Sequence, residues 1–255
     1  MDCNPTESLA HEIGHILGLG HPDTACYGHI MGVPGPPRSV SSSDCATADQ
    51  NWTTPAESAG GGGGCDGRFL NIGEDCSPIV INFESGEYRL TGRNSPVLFD
   101  MPGNGHPQLM GWTAAGADEA FLWLDRNHNG KVTSGAELFG NFTPLKSGRM
   151  AINGFEALAE FDANRDGIID EHDPIWSRLM LWRDLNHNAL SESSEISPLD
   201  ASDVTAIDLD DHWTGRHDQW GNAFRYKSLI SIRNRSGHAV RRQPVYDIFF
   251  VSVSQ

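Results

Sequence analysis

His11, Glu12, His15, Gly18 and His21 stand in the order and spacing HExxHxxGxxH. On an α-helix, residues four apart share a face, so His11 and His15 aim two imidazoles at one ion. Glu12 sits one step round the cylinder, beside the metal, where its carboxylate can take a proton from a metal-bound water. Gly18 permits the positive φ at which the helix stops and the chain reverses, returning His21 as a third ligand. Three protein ligands with one open position describe a catalytic zinc, whereas four ligands close a structural one. Asn4, Pro5 and Glu7 supply the N-cap, the first-turn proline and the capping box of that helix.

The segment resembles the metzincin zinc endopeptidases, in their matrixin-like branch. The resemblance continues at Ile30, Met31 and Gly32, which are similar to the family's Met-turn. It implies one zinc held by His11, His15 and His21, with Glu12 as general base for hydrolysis of a peptide bond by zinc-activated water. Met31 would form the apolar floor beneath the ligands, and Val33 stands where some metzincins place a tyrosine ligand. Metzincins also carry a sheet and a long helix before the zinc helix, and here ten residues precede His11. The chain is therefore expected to be a fragment, weakly active or inactive alone, with a decayed remnant as the alternative.

A second chemistry repeats further along. Asp125, Asn127 and Asn129, then Asp162, Asn164 and Asp166, then Asp184, Asn186 and Asn188 place oxygen-bearing side chains at the first, third and fifth positions of a loop. A hard cation such as calcium takes about six to eight oxygens, and such loops supply them by alternation. Gly130 and Gly167 occupy the sixth position, where the chain bends sharply, and Ala189 replaces glycine in the third loop. An acid closes each loop: Asp173 after Asp170, Glu195 after Glu192, and Glu137 one residue late. Residues 100–105, with Asp100 and Asn104 around Pro102, form a degenerate relative.

Residues 153–161 open with an Asn-x-x-Glu capping box and read as a helix entering the second loop. Residues 174–183 read as a helix shared by the second and third loops. This pattern resembles the EF-hand and dockerin-like calcium modules of exported bacterial proteins. It implies about two to three Ca²⁺ ions, bound most tightly at residues 162–173.

Composition shifts mark the organisation. Residues 53–64 end in five glycines and read as a flexible linker. Residues 1–52 are then the C-terminal part of the zinc domain, with a closing helix over 43–52, and residues 65–255 are the calcium module. Short β-like runs at 78–83, 87–91, 96–99, 108–112 and 120–124 predict a small antiparallel sheet. Two further β-like runs, at 224–232 and 245–253 with basic residues in and between them, would suit packing against the acidic part. The expected fold class is α+β: a truncated zinc-helix subdomain, the linker, then a small sheet with helix–loop–helix calcium loops.

Cys3, Cys26, Cys45, Cys65 and Cys76 cluster in the first 76 residues, which points to disulfides and a secreted protein. Cys65 with Cys76 and Cys26 with Cys45 are candidate pairs, and the pairing stays open. A net charge of −16 argues against nucleic acid and anionic membrane surfaces and favours divalent cations. No run reaches the roughly 18 apolar residues that span a bilayer. Two functions follow. One is a zinc metalloendopeptidase, acting on a peptide or protein substrate, with a C-terminal calcium module. The other is a calcium-stabilised extracellular binding or adhesion module whose zinc segment is vestigial.

Overall fold

The structure is a computed structural model that describes residues 76–84, 86–233 and 240–253. The zinc motif residues His11, Glu12, His15 and His21, together with Met31, the linker and the segment 43–52, lie outside the described residues.

Short apolar runs build the sheet. Every residue of β1 (Ile79–Asn82) and β4 (Glu119–Leu124) is buried, the pattern of strands covered on both faces. Their side chains alternate between two cores. Ile79, Ile81, Ala120 and Leu122 enter one, while Val80, Phe121 and Trp123 enter the other. β4 pairs β1 on one edge and β6 (Leu179–Trp182) on the other, and β6 pairs β7 (Ile196–Pro198). Beyond β1 follow β11 (Val240–Phe249), β10 (Ala223–Arg233), β8 (Val204–Asp208) and β5 (Ile168–Asp170), with β9 (His212–His217) also paired to β10. The nine strands form one curled antiparallel half-barrel. β2 (Val97–Phe99) and β3 (Gln108–Met110) make a separate two-stranded hairpin.

One core packs Phe155 and Leu158 of the short helix α1 (Gly154–Ala159) against Ile79, Leu122, Leu181 and Ile230. Asn153 caps α1, its side chain accepting the Glu156 N–H at 2.8 Å. Gly154 is required for close approach, since a Cβ there would stand 2.4 Å from the Phe139 carbonyl oxygen. The second core is aromatic. Trp112 meets Phe99, Phe121, Trp182 and Phe250 at centroid distances of 5.0, 4.6, 5.7 and 5.6 Å.

The expected α+β class with helix–loop–helix modules is overturned, because the described residues are mostly β-sheet with little helix. Residues 174–183 hold a 3₁₀ turn (Trp176–Arg178) and then β6. The run Leu179, Met180, Leu181, Trp182 is too short and too uniformly apolar to specify a period. Pairing beside the buried β4 satisfies its backbone and covers both of its faces, so tertiary context decides for strand. Among the described residues, no helix is long and apolar enough to cross a membrane.

Candidate metal centre

The repeated acidic segments all leave regular elements. Residues 100–105 follow β2, 125–137 follow β4, 162–173 follow α1, and 184–195 join β6 to β7. They share one internal network. The first carboxylate accepts the N–H groups of the fifth and sixth residues: Asp125 from Asn129 and Gly130 at 3.1 and 3.0 Å, and Asp184 from Asn188 and Ala189 at 3.1 and 2.8 Å. Asp100 does the same with Asn104 and Gly105, at 3.1 and 2.8 Å. Asp162 accepts from Arg165 and Gly167 at 2.7 and 3.0 Å. The fifth side chain then accepts the N–H two residues on, as Asn129 does from Lys131 at 2.8 Å and Asp166 from Ile168 at 2.9 Å. Pro102 therefore spoils the side-chain set of residues 100–105 but not their backbone shape.

The fourth and sixth residues are left-handed in every loop. His128, Arg165 and His187 have φ of 59°, 60° and 61°, and Ala189 has 56°. Each such non-glycine residue costs roughly 1–2 kcal/mol, so the polar network must hold it there.

The closing acids Glu137, Asp173 and Glu195 are 3%, 2% and 7% exposed. They differ in how they are satisfied. Asp173 accepts the N–H of Ala163 at 2.8 Å and of Asp170 at 3.2 Å, one on each oxygen. Glu195 accepts from Leu185 and Asn186 on one oxygen and from the Trp182 indole on the other. It also contacts the Glu192 carboxyl. Burial and then this neighbour push the Glu195 pKa up, while Asn188 and then the Glu195 contact hold Glu192 down. Two carboxyl groups in hydrogen-bond contact need a proton or a cation between them. Glu137 is the sharpest case. Its Oε2 accepts the Thr133 N–H and hydroxyl at 2.8 and 2.7 Å, but its Oε1 is buried with no hydrogen-bond partner. A native structure seldom leaves such an atom unpaired, and a cation would resolve it, either a bound ion or the guanidinium of Arg126, whose charge interacts with Glu137 and whose Nε and Nη2 are likewise buried without a partner.

Two of these loops face each other. Val132 and Ser191 occupy the same eighth position of their loops, and the Ser191 hydroxyl accepts the Val132 N–H at 2.8 Å and donates to its carbonyl at 3.2 Å. Residues 100–105 join them, with the Gly135 N–H donating to the Asp100 carbonyl at 3.0 Å. The Trp112 indole N–H donates to Asp184 at 2.8 Å, fixing the third loop to the aromatic core. Residues 162–173 are tied to the other side of the sheet, through β5 and the Leu209 N–H bonded to the Gly167 carbonyl at 2.9 Å.

The structure thus joins the loop that carries Asp125, Asn127, Asn129 and Glu137 to the loop that carries Asp184, Asn186, Asn188 and Glu195 through Val132 and Ser191. Asp162, Asn164, Asp166 and Asp173 form a separate loop. Asp170, an expected ligand there, accepts the His172 N–H at 2.8 Å and meets its imidazole at 2.9 Å, and the backbone bond first holds its carboxyl below the usual range. Among the described residues, no three His, Cys, Asp or Glu side chains gather into a ready cluster. The loops offer a mixed set of carboxylate, amide and backbone oxygens, which suits a hard cation better than zinc. Trp112 and Thr133, which hold the acids Asp184 and Glu137, and Ser191, which joins the two loops, carry no signal in their own spacing. Ser191 could have been found only by aligning the loops.

Residues 79–246 match the SPM domain, and the chain belongs to that family. It is similar to the iron-regulated protein FrpA of Neisseria meningitidis serogroup C, with 39% identity over 112 residues. That match covers 44% of this chain and 10% of the relative, so the chain spans about a tenth of that protein's length. These findings correct both resemblances drawn from sequence. The family is neither the metzincin peptidases nor an EF-hand or dockerin-like module, and the β-rich fold agrees. The loop spacing misled because it belongs to the loop itself, which a β-sheet carries as readily as a pair of helices.

Proposed function

We propose that the SPM domain of this chain is a calcium-stabilised binding or adhesion module of a larger exported protein. The observation that carries this reading is the buried, unpaired Oε1 of Glu137 in a loop paired with the one that holds the Glu192–Glu195 contact. Asp125, Asn127, Asn129 and Glu137 would hold one ion, and Asp184, Asn186, Asn188 and Glu195 a second. Asp162, Asn164, Asp166 and Asp173 would hold a third. Bound calcium supplies positive charge that offsets repulsion among these carboxylates. Export is supported by the clustered cysteines and by Cys76, which is buried and disulfide-bonded. Melting curves of the whole chain in millimolar calcium and in excess chelator test the reading. Calcium should raise the melting temperature and magnesium should substitute poorly, since it demands a tighter octahedral shell. Identical curves in calcium and chelator would refute it.

A second reading rests on the spacing of His11, Glu12, His15 and His21. It assigns zinc-dependent hydrolysis of a peptide bond to the segment before the linker, with Glu12 as general base. Glu12→Gln should retain zinc and abolish hydrolysis, and unchanged turnover would exclude the assignment.

A further inference from the structure

Arg126 is the second residue of the loop at 125–137, and it is held by rings rather than by acids. The Phe139 and Phe161 rings meet edge-on at 6.0 Å and 83°, and the guanidinium carbon lies 5.3 and 5.8 Å from their centroids. Cation–π attraction stabilises a guanidinium there, but the ring faces do not replace the planar acceptors that its fork of N–H groups fits. Nε and Nη2 are buried with no hydrogen-bond partner. Among the described residues, no ion pair includes Arg126. Burial pushes its pKa down, the charges of Glu137 and Glu160 pull it back up, and Arg178 opposes them.

The two attracting acids are not equivalent. Glu160 already accepts the Lys146 N–H on both carboxylate oxygens, at 3.0 and 2.9 Å, and the Lys146 ammonium lies 5.4 Å from the Phe161 centroid. Glu137 has Thr133 on one oxygen and no partner on the other. An unpaired cation and a half-paired carboxylate therefore belong to one loop, both buried at their unpaired atoms, where a missing partner is costly. The other loops lack this arrangement. Their second residues are Ala163 and Leu185, neither of which carries charge.

We propose that Arg126 is the resident counter-ion of Glu137 and competes with calcium for that carboxylate, lowering the affinity of the loop at 125–137. The inference deepens the calcium reading and rests on it. In the empty loop, the guanidinium offsets the charge of Glu137 and so steadies the fold. An arriving ion must share Glu137 with a positive charge that two rings hold in place. Arginine cannot escape this conflict by losing a proton, because it stays charged in proteins. The effect is confined to one loop.

The test is a calcium titration of the whole chain carrying Asp162→Ala and Glu195→Gln, a background that leaves residues 125–137 as the one complete loop. Arg126→Met keeps an apolar stem on the two rings and removes the charge, and Arg126→Gln removes it with a shorter polar head. Both should raise calcium affinity about tenfold while lowering the melting temperature in excess chelator. Arg126→Lys keeps a charge and should stay nearer the background value. The opposite signs separate a competing counter-ion from a packing residue, whose loss would lower both quantities. In chelator, adding Glu137→Gln should erase most of the fall caused by Arg126→Met, as expected of two coupled residues. Unchanged or lower affinity in the methionine and glutamine variants, or a fall that Glu137→Gln leaves intact, would overturn the proposal alone. No calcium bound by the background or by the unmodified chain would overturn the calcium reading along with it.

Discussion

The loops at residues 125–137 and 184–195 differ from the loop at 162–173 in where the closing acid finds its partners. In the solitary loop, Asp173 has a backbone N–H on each oxygen, so the loop's own amides can hold its shape. In the paired loops, Glu137 keeps an unpaired buried oxygen and Glu195 presses against Glu192. The solitary loop has the fuller complement of acids, yet the closing acids of the paired loops are less fully satisfied by hydrogen bonds. Counting ligands in a sequence ranks sites by what they offer, whereas the folded structure also shows what they lack. A cation should therefore matter most where the two loops meet.

The largest expected effect is the loss of calcium stabilisation when both closing acids are removed. A ligand at 100 times its dissociation constant contributes about 2.7 kcal/mol per site. The double variant Glu137→Gln/Glu195→Gln should lose about twice that in a calcium melt, whereas Asp162→Ala/Asp166→Ala should lose at most one site's share. The reverse order would break the comparison.

Asp247 sharpens it from another side. This fully buried carboxyl also keeps an unpaired oxygen, but it lies on β11 beside Gly154 and Ser77, away from the loops. Burial pushes its pKa up to about 7, so below neutral pH it holds a proton. A carboxyl raised in the folded state stabilises fully below its unfolded pKa, near 3.9, and loses that contribution as pH rises toward the folded value. Stability should decline by about 1.4 kcal/mol per pH unit on approaching neutrality, and Asp247→Asn should flatten that decline in chelator and in calcium alike. An unchanged pH profile in urea unfolding would contradict this assignment.

Smaller effects should follow from the parts that hold the loops. Trp112→Phe removes the N–H donated to Asp184 and should cost about 1–2 kcal/mol, weakening calcium binding at residues 184–195 more than at 162–173. Ala189→Gly relieves a left-handed residue and should stabilise by about 1 kcal/mol in urea unfolding. A loss of stability would mean that the buried methyl group outweighs the backbone strain.

The polar half of this site was legible in the sequence because its chemistry is local. The spacing of Asp125, Asn127 and Asn129 sets a loop by side-chain-to-backbone bonds within a few residues, and the Asn153 cap sets α1 in the same way. The pairing of Val132 with Ser191 was not legible, since it joins residues 59 apart through a hydroxyl. Nor was β6, whose apolar residues gain their strand register only from β4. β9 gave no periodic signal at all, because its exposed residues answer to no core.

The central claim is that the paired loops hold cations through their closing acids. Calorimetric titration of the whole chain with calcium tests it most directly, with the Glu137→Gln/Glu195→Gln variant alongside. The wild type should bind about two to three ions, and the variant should bind two fewer while melting like the wild type in chelator. No calcium bound by the wild type at millimolar concentration, or the same stoichiometry in both proteins, would contradict the account.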